Sequence, residues 1–255
     1  METAGQTDGQ ETRLPRLYEK FAHYWPLMSP PEEYAEEAEV WRNTIRARLG
    51  PGRHELLELG VGGGHNMSHL TGEFDFTAVD LCPAMIEQAR RLNPGVAFHV
   101  GDMRTIRLGR RFDGVLVHDA ISHMRTEDDL RAVFATAVAN LRAGGLFVAG
   151  PDWLRETFRG PYTECRTHSD GGTTFTYFEY THDPDPADTI VETLMWYLIR
   201  EGDRPLRVES DRHVLGLFPL ATWQRLLTEA GFRVQTEPYD CDGVASCLLV
   251  GTLET

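Results

Sequence analysis

Three glycines at alternate positions, Gly60, Gly62 and Gly64, follow the apolar run Leu56, Leu57, Leu59 and the acid Glu58. A buried strand that enters such a turn and then a helix start brings backbone N–H groups against a ligand. Glycine suits the turn because a Cβ would hold the backbone away and because positive φ costs it little. The spacing is G-x-G-x-G and not G-x-G-x-x-G, which speaks against a nicotinamide-dinucleotide dehydrogenase. Further along, Asp80, Asp102-Met103 and His118-Asp119 each close an apolar run. Asp80 lies 22 residues after Glu58, where an ionised carboxylate can accept both hydroxyls of a ribose. Asp102 is placed to accept from an adenine amino group, with Met103 and Leu81 as apolar faces for the ring. One strand-terminal Asp is more simply a turn former or a helix cap. Several in register, each where one nucleoside needs a polar group, point to a nucleoside site.

Histidines supply the remaining candidate chemistry. His118 and His123 sit with Asp119 in VHDAISHM, and His213 sits in SDRHVLGLF. A neutral imidazole near pH 7 can take a proton, so His123 and His213 are candidate bases, against the plainer reading of hydrogen-bonded structural histidines. His118 reads as a pocket wall. His65 and His69, four apart, make no metal set with any other ligand, and no metal is expected. Cys82, Cys165, Cys241 and Cys247 lie far apart without C-x-x-C spacing, as in a reduced cytoplasmic protein.

The elements that must position these residues alternate. Glu55–Leu59, Phe74–Val79, Val96–Val100, Phe112–Val117 and Leu146–Ala149 read as strands. Asn66–Thr71 starts a helix, PAMIEQARRL is a second with Pro83 in its first turn, and TEDDLRAVFATAVANLRA is a third capped by Thr126. Such alternation predicts an α/β protein, a Rossmann-like seven-stranded, mainly parallel sheet with helices on both faces. Ligands then bind beyond the carboxyl ends of the strands. Period-two runs between 153 and 215 predict an inserted three-stranded antiparallel sheet, after which FPLATWQRLLTEAGF, RVQTEPY and SCLLVGTL complete the core, the last strand antiparallel. Within the insertion, Phe175/Tyr177 and Phe178/Tyr180 fall in two opposite rows. One row packs on the core; the other lines an acceptor pocket or a homodimer contact. Residues 14–50 predict an aromatic N-terminal lid of two helices joined at a Trp25-Pro26 break. Residues 1–13 read as a disordered tail, and 51–152 with 216–255 form the binding core.

The net charge of −14 disfavours a nucleic-acid partner, which calls for basic surface. No apolar stretch approaches the roughly 20 residues of a membrane helix, and the N-terminus lacks a signal-peptide pattern. A small-molecule partner remains.

The motifs ELGVGGG, VDLCPAMIEQAR, GDM, FDGVLVHDAISHM and LRAGGLFVAG together resemble the class I S-adenosylmethionine-dependent methyltransferases. The resemblance covers about 55–150 and resumes over 218–253. It implies S-adenosylmethionine as cofactor, with S-adenosylhomocysteine as product, and methyl transfer to a nitrogen or oxygen. It assigns Glu58, Gly60, Gly62 and Gly64 to the methionine part, Asp80 to the ribose, and Asp102 with Met103 to the adenine; Leu81 and Met85 complete the expected cofactor-binding set. His118 and Asp119 border cofactor and acceptor, and Tyr24 covers both from the lid, beside His123 and His213. A closer resemblance is to small methyltransferases of amino-sugar nucleotides and other natural products. In those enzymes a Gly-Lys-rich turn precedes the Tyr corresponding to Tyr34; here acids replace the lysines, so groups that would bind phosphates are missing. A binding protein that keeps the cofactor without transferring a methyl is the alternative, and the aromatic lid of Tyr18, Tyr24 and Trp25 favours an enzyme. Asp80→Ala should weaken S-adenosylhomocysteine binding by about 1.5–3 kcal/mol in titration calorimetry, the cost of losing hydrogen bonds to a charged group.

Overall fold

The computed structural model describes residues 14–241 and 244–254; the expected tail, 1–13, lies outside them. The core strands are β1 (Glu55–Leu59), β2 (Asp75–Asp80), β3 (Ala97–Val100), β4 (Phe112–Val117) and β5 (Leu141–Ala149). β6 (Tyr162–Asp170), β7 (Thr173–His182), β8 (Ile190–Glu201) and β9 (Arg207–Gly216) form the insertion, and β10 (Phe232–Cys241) and β11 (Val244–Leu253) end the chain. The helices are α1 (Trp25–Met28), α2 (Ala35–Leu49), α3 (His65–Ser68), α4 (Pro83–Leu92), α5 (Glu127–Asn140) and α6 (Leu220–Glu229). The seven-stranded sheet runs β10-β11-β5-β4-β1-β2-β3. β1, β2, β3, β4 and β5 pair in parallel, and β11 is antiparallel to both neighbours.

Alternation of side chains along a strand divides the core in two. Leu57 and Leu59 face α5 and α6, where Leu130, Val133, Phe134, Trp223 and Leu227 are buried. Leu56 faces the other way, onto Ala38, Trp41 and Ile45 of α2. A strand covered on both faces must be apolar at nearly every position, which is why ELLEL carries no period-two signal. α5 starts where expected: the Thr126 side chain accepts from the Asp129 N–H at 3.1 Å.

Three expectations are corrected. The insertion has four strands, ordered β6-β7-β8-β9. β6, YTECRTHSD, is an edge strand with no fully buried residue, so it lacks the apolar alternation by which strands are recognised. The N-terminal segment before α2 is built of turns and single helical turns rather than a long helix, and Pro26 opens α1 instead of breaking a helix. The helix expected from Asn66 to Thr71 is the single turn α3. The Phe175/Tyr177 row of the insertion packs, with Met195 and Tyr197, on Leu17, Phe21, Tyr24 and Met28 of the N-terminal segment. Phe178 and Trp196 form the opposite, partly exposed row.

Leu57 is fully buried between the sheet and the α5–α6 layer. Leu57→Ala should cost about 2–5 kcal/mol of unfolding free energy in denaturant titration.

Candidate active site

The carboxyl ends of β1, β2, β4 and β5 converge on one cleft. As β1 ends, the N–H groups of Gly60 and Val61 both donate to the Val79 carbonyl, at 2.7 and 3.0 Å, and that of Gly62 donates to Asp80 Oδ2 at 2.8 Å. Gly60 has φ +75°, and a Cβ there would land on the Ala120 side chain and 2.8 Å from Met103 Cε. A Cβ on Gly63 would lie 2.6 Å from the indole of Trp25. Gly60 is therefore wedged against Ala120 and Met103 and Gly63 against a tryptophan, with no room for a side chain at either position.

Asp80 Oδ1 accepts from the Cys82 N–H at 2.8 Å, so both carboxylate oxygens are oriented by backbone. Burial raises its pKa, and these N–H groups oppose the rise. Glu58 is buried at 4 % exposure, and its pKa is pushed up to about 8 by burial; the nearby His118 lowers it, while Asp119 and Asp80 raise it. Met85 is buried below Gly62, and Leu81 is 47 % exposed. Asp102 is engaged in a way that spacing did not reveal. The Arg104 guanidinium binds it through Nε at 3.0 Å and a terminal nitrogen at 2.7 Å, and the Arg104 N–H donates to its other oxygen. Although burial raises the Asp102 pKa, Arg104 outweighs it and holds the carboxylate ionised.

His118, at the end of β4, lies between two acids, with Nε2 2.8 Å from Glu37 Oε1 and Nδ1 3.2 Å from Asp119 Oδ1. The Glu37 contact is an ion pair off the hydrogen-bond direction. Burial alone would lower the His118 pKa; the two carboxylates win and raise it well above its usual range. Glu37 thus ties α2 to the strand end. Asp119 keeps half of its side chain accessible in the cleft.

His123 and His213 meet, as the sequence suggested, around a residue that spacing did not assign to the site. The Tyr18 hydroxyl is 3.4 Å from His123 Nε2, and its ring centroid lies 5.6 Å from that of His123 and 5.5 Å from that of His213. Burial lowers the His123 pKa to about 4, helped by the neighbouring His213, so this imidazole is neutral at pH 7. His213 lies 3.5 Å from Asp211, which also accepts the Leu17 N–H at 2.8 Å and so fastens the N-terminal segment to β9.

Tyr24 does not join this group. Its hydroxyl donates to Glu201 and accepts from Arg207, both at 2.8 Å, and its ring packs 5.2 Å from Phe175. Phe175 pairs with Ile199 and His213 with Thr193; six residues of strand separate these positions, roughly 20 Å at a strand's rise. Tyr18 beside the histidines and Trp25 over Gly63 occupy the places expected of Tyr24. A chain of single turns has no period from which a side chain's direction can be read. Asp152 was also missed: it stands just beyond β5, and its N–H donates to Ser122 Oγ at 3.1 Å. Its position beyond a strand's carboxyl end was the available signal. Among the described residues there is no cluster of side chains that would hold a metal.

A family described as a methyltransferase domain matches residues 56–145. The chain is 31 % identical over 206 residues to a dTDP-3-amino-3,4,6-trideoxy-alpha-D-glucopyranose N,N-dimethyltransferase of Streptomyces venezuelae, covering 80 % of this chain and 85 % of that protein. The chain belongs to the class I S-adenosylmethionine-dependent methyltransferases. A dTDP-3-amino-3,6-dideoxy-alpha-D-glucopyranose N,N-dimethyltransferase of Streptomyces fradiae is 31 % identical over 209 residues, covering 81 % of this chain and 80 % of that protein. The crystal structure of DesVI from Streptomyces venezuelae superposes with a TM-score of 0.80 at 26 % identity, over 92 % of this chain and 97 % of that one. The methyltransferase cofactor is S-adenosylmethionine. The glycine-rich turn at Gly60–Gly64, buried Glu58 and partly buried Asp80 suit a cationic nucleoside that must lie against backbone.

Protonation of this cleft affects folding. Glu58 and Asp152, both raised to about 8, keep protons in the folded enzyme that the unfolded chain has already lost, and His118 acts the same way above its ordinary value of 6.5. Stability from these groups is present at low pH and is lost as pH rises through 8. His123 opposes them only between about 4 and 6.5. The ligand-free methyltransferase should therefore show a Tm that falls from pH 6.5 to about pH 9. Glu58→Gln should flatten that fall in thermal melts; a rise over the same interval would contradict the assignment.

Proposed function

We propose that this enzyme methylates the amino group of an amino-sugar acceptor and does so twice. The relatives named above act as N,N-dimethyltransferases of amino sugars. The observation that carries the choice of nitrogen is the wall of the cleft facing away from the glycine turn. It holds the Tyr18 hydroxyl against neutral His123, with the ionised Asp119 carboxylate acting on it. A hydroxyl acceptor needs a base strong enough to take its proton during transfer, and an imidazole with a pKa of about 4 is a poor one. An amine already carries a lone pair. The acidic wall favours the positive charge that nitrogen acquires.

When bound, S-adenosylmethionine supplies a methyl group on a positively charged sulfur, activated for in-line displacement. In the reading proposed here, Glu58 and the Gly60–Gly64 backbone hold its methionine part and Asp80 its ribose. Met103 and Met85 flank the adenine, and Asp102 faces the adenine amino group while kept in place by Arg104. Trp25 closes over the turn and excludes water. Tyr18 and His123 orient the acceptor nitrogen so that its lone pair points at the reacting carbon, and positioning supplies most of the acceleration. His213 and Asp211 hold Tyr18 from the insertion side.

Mass spectrometry of products from dTDP-linked and unlinked amino sugars, beside hydroxyl analogues, tests this reading. Two methyl groups should appear on the amine and none on the hydroxyl. His123→Ala combined with His213→Ala loosens the acceptor's positioning but removes no base that an amine needs, so an amine should lose less rate than the roughly 10²–10⁴-fold expected of a hydroxyl acceptor. Methylation confined to the hydroxyl analogues would overturn it.

A further inference from the structure

Two successive transfers to one nitrogen pose a problem that one transfer does not. The first transfer leaves the nitrogen positively charged, with no lone pair. Before a second methyl can be accepted, one N–H bond must break and its electron pair must return to nitrogen. The proton needs an acceptor inside a cleft that Trp25 and the N-terminal segment cover.

The groups of the cleft differ in fitness for that task. His123 is neutral, but burial makes it a weak base. Asp119 is held ionised by its contact with His118, which outweighs its desolvation, so its proton affinity is also low. Glu58 is buried within β1, beneath the glycine turn. Asp152 is different. Its backbone is fixed through the N–H bond to buried Ser122 at 3.1 Å, and its carboxylate takes a hydrogen bond from the same serine. It interacts electrostatically with Asp119 and His118 beyond β4, with Glu37 of α2 and with Tyr18 of the N-terminal segment. Tyr18 in turn touches His123. Asp152 therefore stands beside the turn that carries His123 to the acceptor wall, and the cation that acts on it, His118, is already engaged by Asp119 and Glu37.

We propose that the Asp152 carboxylate takes the proton from the acceptor nitrogen between the two methyl transfers. The N–H bond breaks, its pair stays on nitrogen, an O–H bond forms on Asp152, and that proton passes to water when the cleft next opens. Burial, and after it the charge of Asp119, push the Asp152 pKa up to about 8. That brings it closer than Asp119 or His123 to the proton affinity of an amine, which is what efficient proton transfer requires, and Glu58, raised as far, lies beneath the glycine turn. The positive charge on nitrogen favours the ionised carboxylate at the moment it is needed.

This inference rests on the amine reading, and the test separates the two. Time courses of the enzyme with excess S-adenosylmethionine, resolved by mass spectrometry into mono- and dimethylated product, give each transfer its own rate. Asp152→Asn should accumulate the monomethyl product, the second transfer slowing roughly 10²-fold or more, while S-adenosylhomocysteine affinity in calorimetry changes less than about twofold. If the wild-type enzyme dimethylates and Asp152→Asn keeps its product ratio, the inference is overturned and the amine reading stands. A wild-type enzyme that places no methyl on any amine overturns both. Should Asp152→Asn fail to fold, Asp119→Asn serves instead. Removal of the facing charge should move the pH limb of the second transfer to lower pH, and an unmoved limb would overturn the proposal.

Discussion

The close approach of the Gly60–Gly64 turn to the end of β2 and to Ala120 and Met103 is the constraint on which the rest depends. Gly60 and Val61 spend their N–H groups on Val79, and Gly62 spends its own on Asp80, so the turn is stitched to the end of β2. Ala120 and Met103 press on it from the far side and leave no space for a side chain at Gly60. That stitching aligns Glu58, Asp80 and His118 around one point. It also leaves an exposed stretch of backbone that only a covering group can shield from water.

The covering group is Trp25, and it is held from a distance. The segment that carries it docks less on the core than on the insertion. Leu17, Phe21, Tyr24 and Met28 bury themselves against Phe175, Met195 and Tyr197. Around that apolar contact, Arg16 and Lys20 reach Glu209, Leu17 donates to Asp211, and Tyr24 bridges Glu201 and Arg207. The exposed ion pairs contribute little in water; the buried aromatic contact and the Asp211 cap do more. Insertion and N-terminal segment thus form one upper wall, which places Tyr18 between His123 and His213.

Electrostatics bear on the amine acceptor proposed for this wall. Glu37, Glu58, Asp80, Asp119 and Asp152 crowd a cleft with one cationic histidine among them, and repulsion and burial together push Glu58 and Asp152 toward their neutral forms. Such a cleft is unfavourable for an anion and favourable for a positive charge. Methyl transfer to an amine moves one positive charge a short way from sulfur to nitrogen. A surrounding set of acids can stabilise that charge at both ends of its path.

The sequence by itself determined the α/β alternation, the glycine turn and the acids at the ends of β2 and β3, and it singled out the two histidines that lie against Tyr18. Each is a local matter, since strand, turn and helix start are specified by neighbours within a few residues. Thr126 capping α5 and Pro83 opening α4 are readable for the same reason. Only the tertiary structure decided that Tyr18 and Trp25, and not Tyr24, reach the cleft, because single turns bounded by prolines have no repeating face. The polar edge strand β6 was invisible because it buries no apolar row and is held by its pairing to β7. The Arg104 clasp on Asp102, the link from Glu37 to His118 and the place of Asp152 join residues far apart in the chain. Their partners are chosen by how helices and strands pack, which no spacing in the sequence encodes.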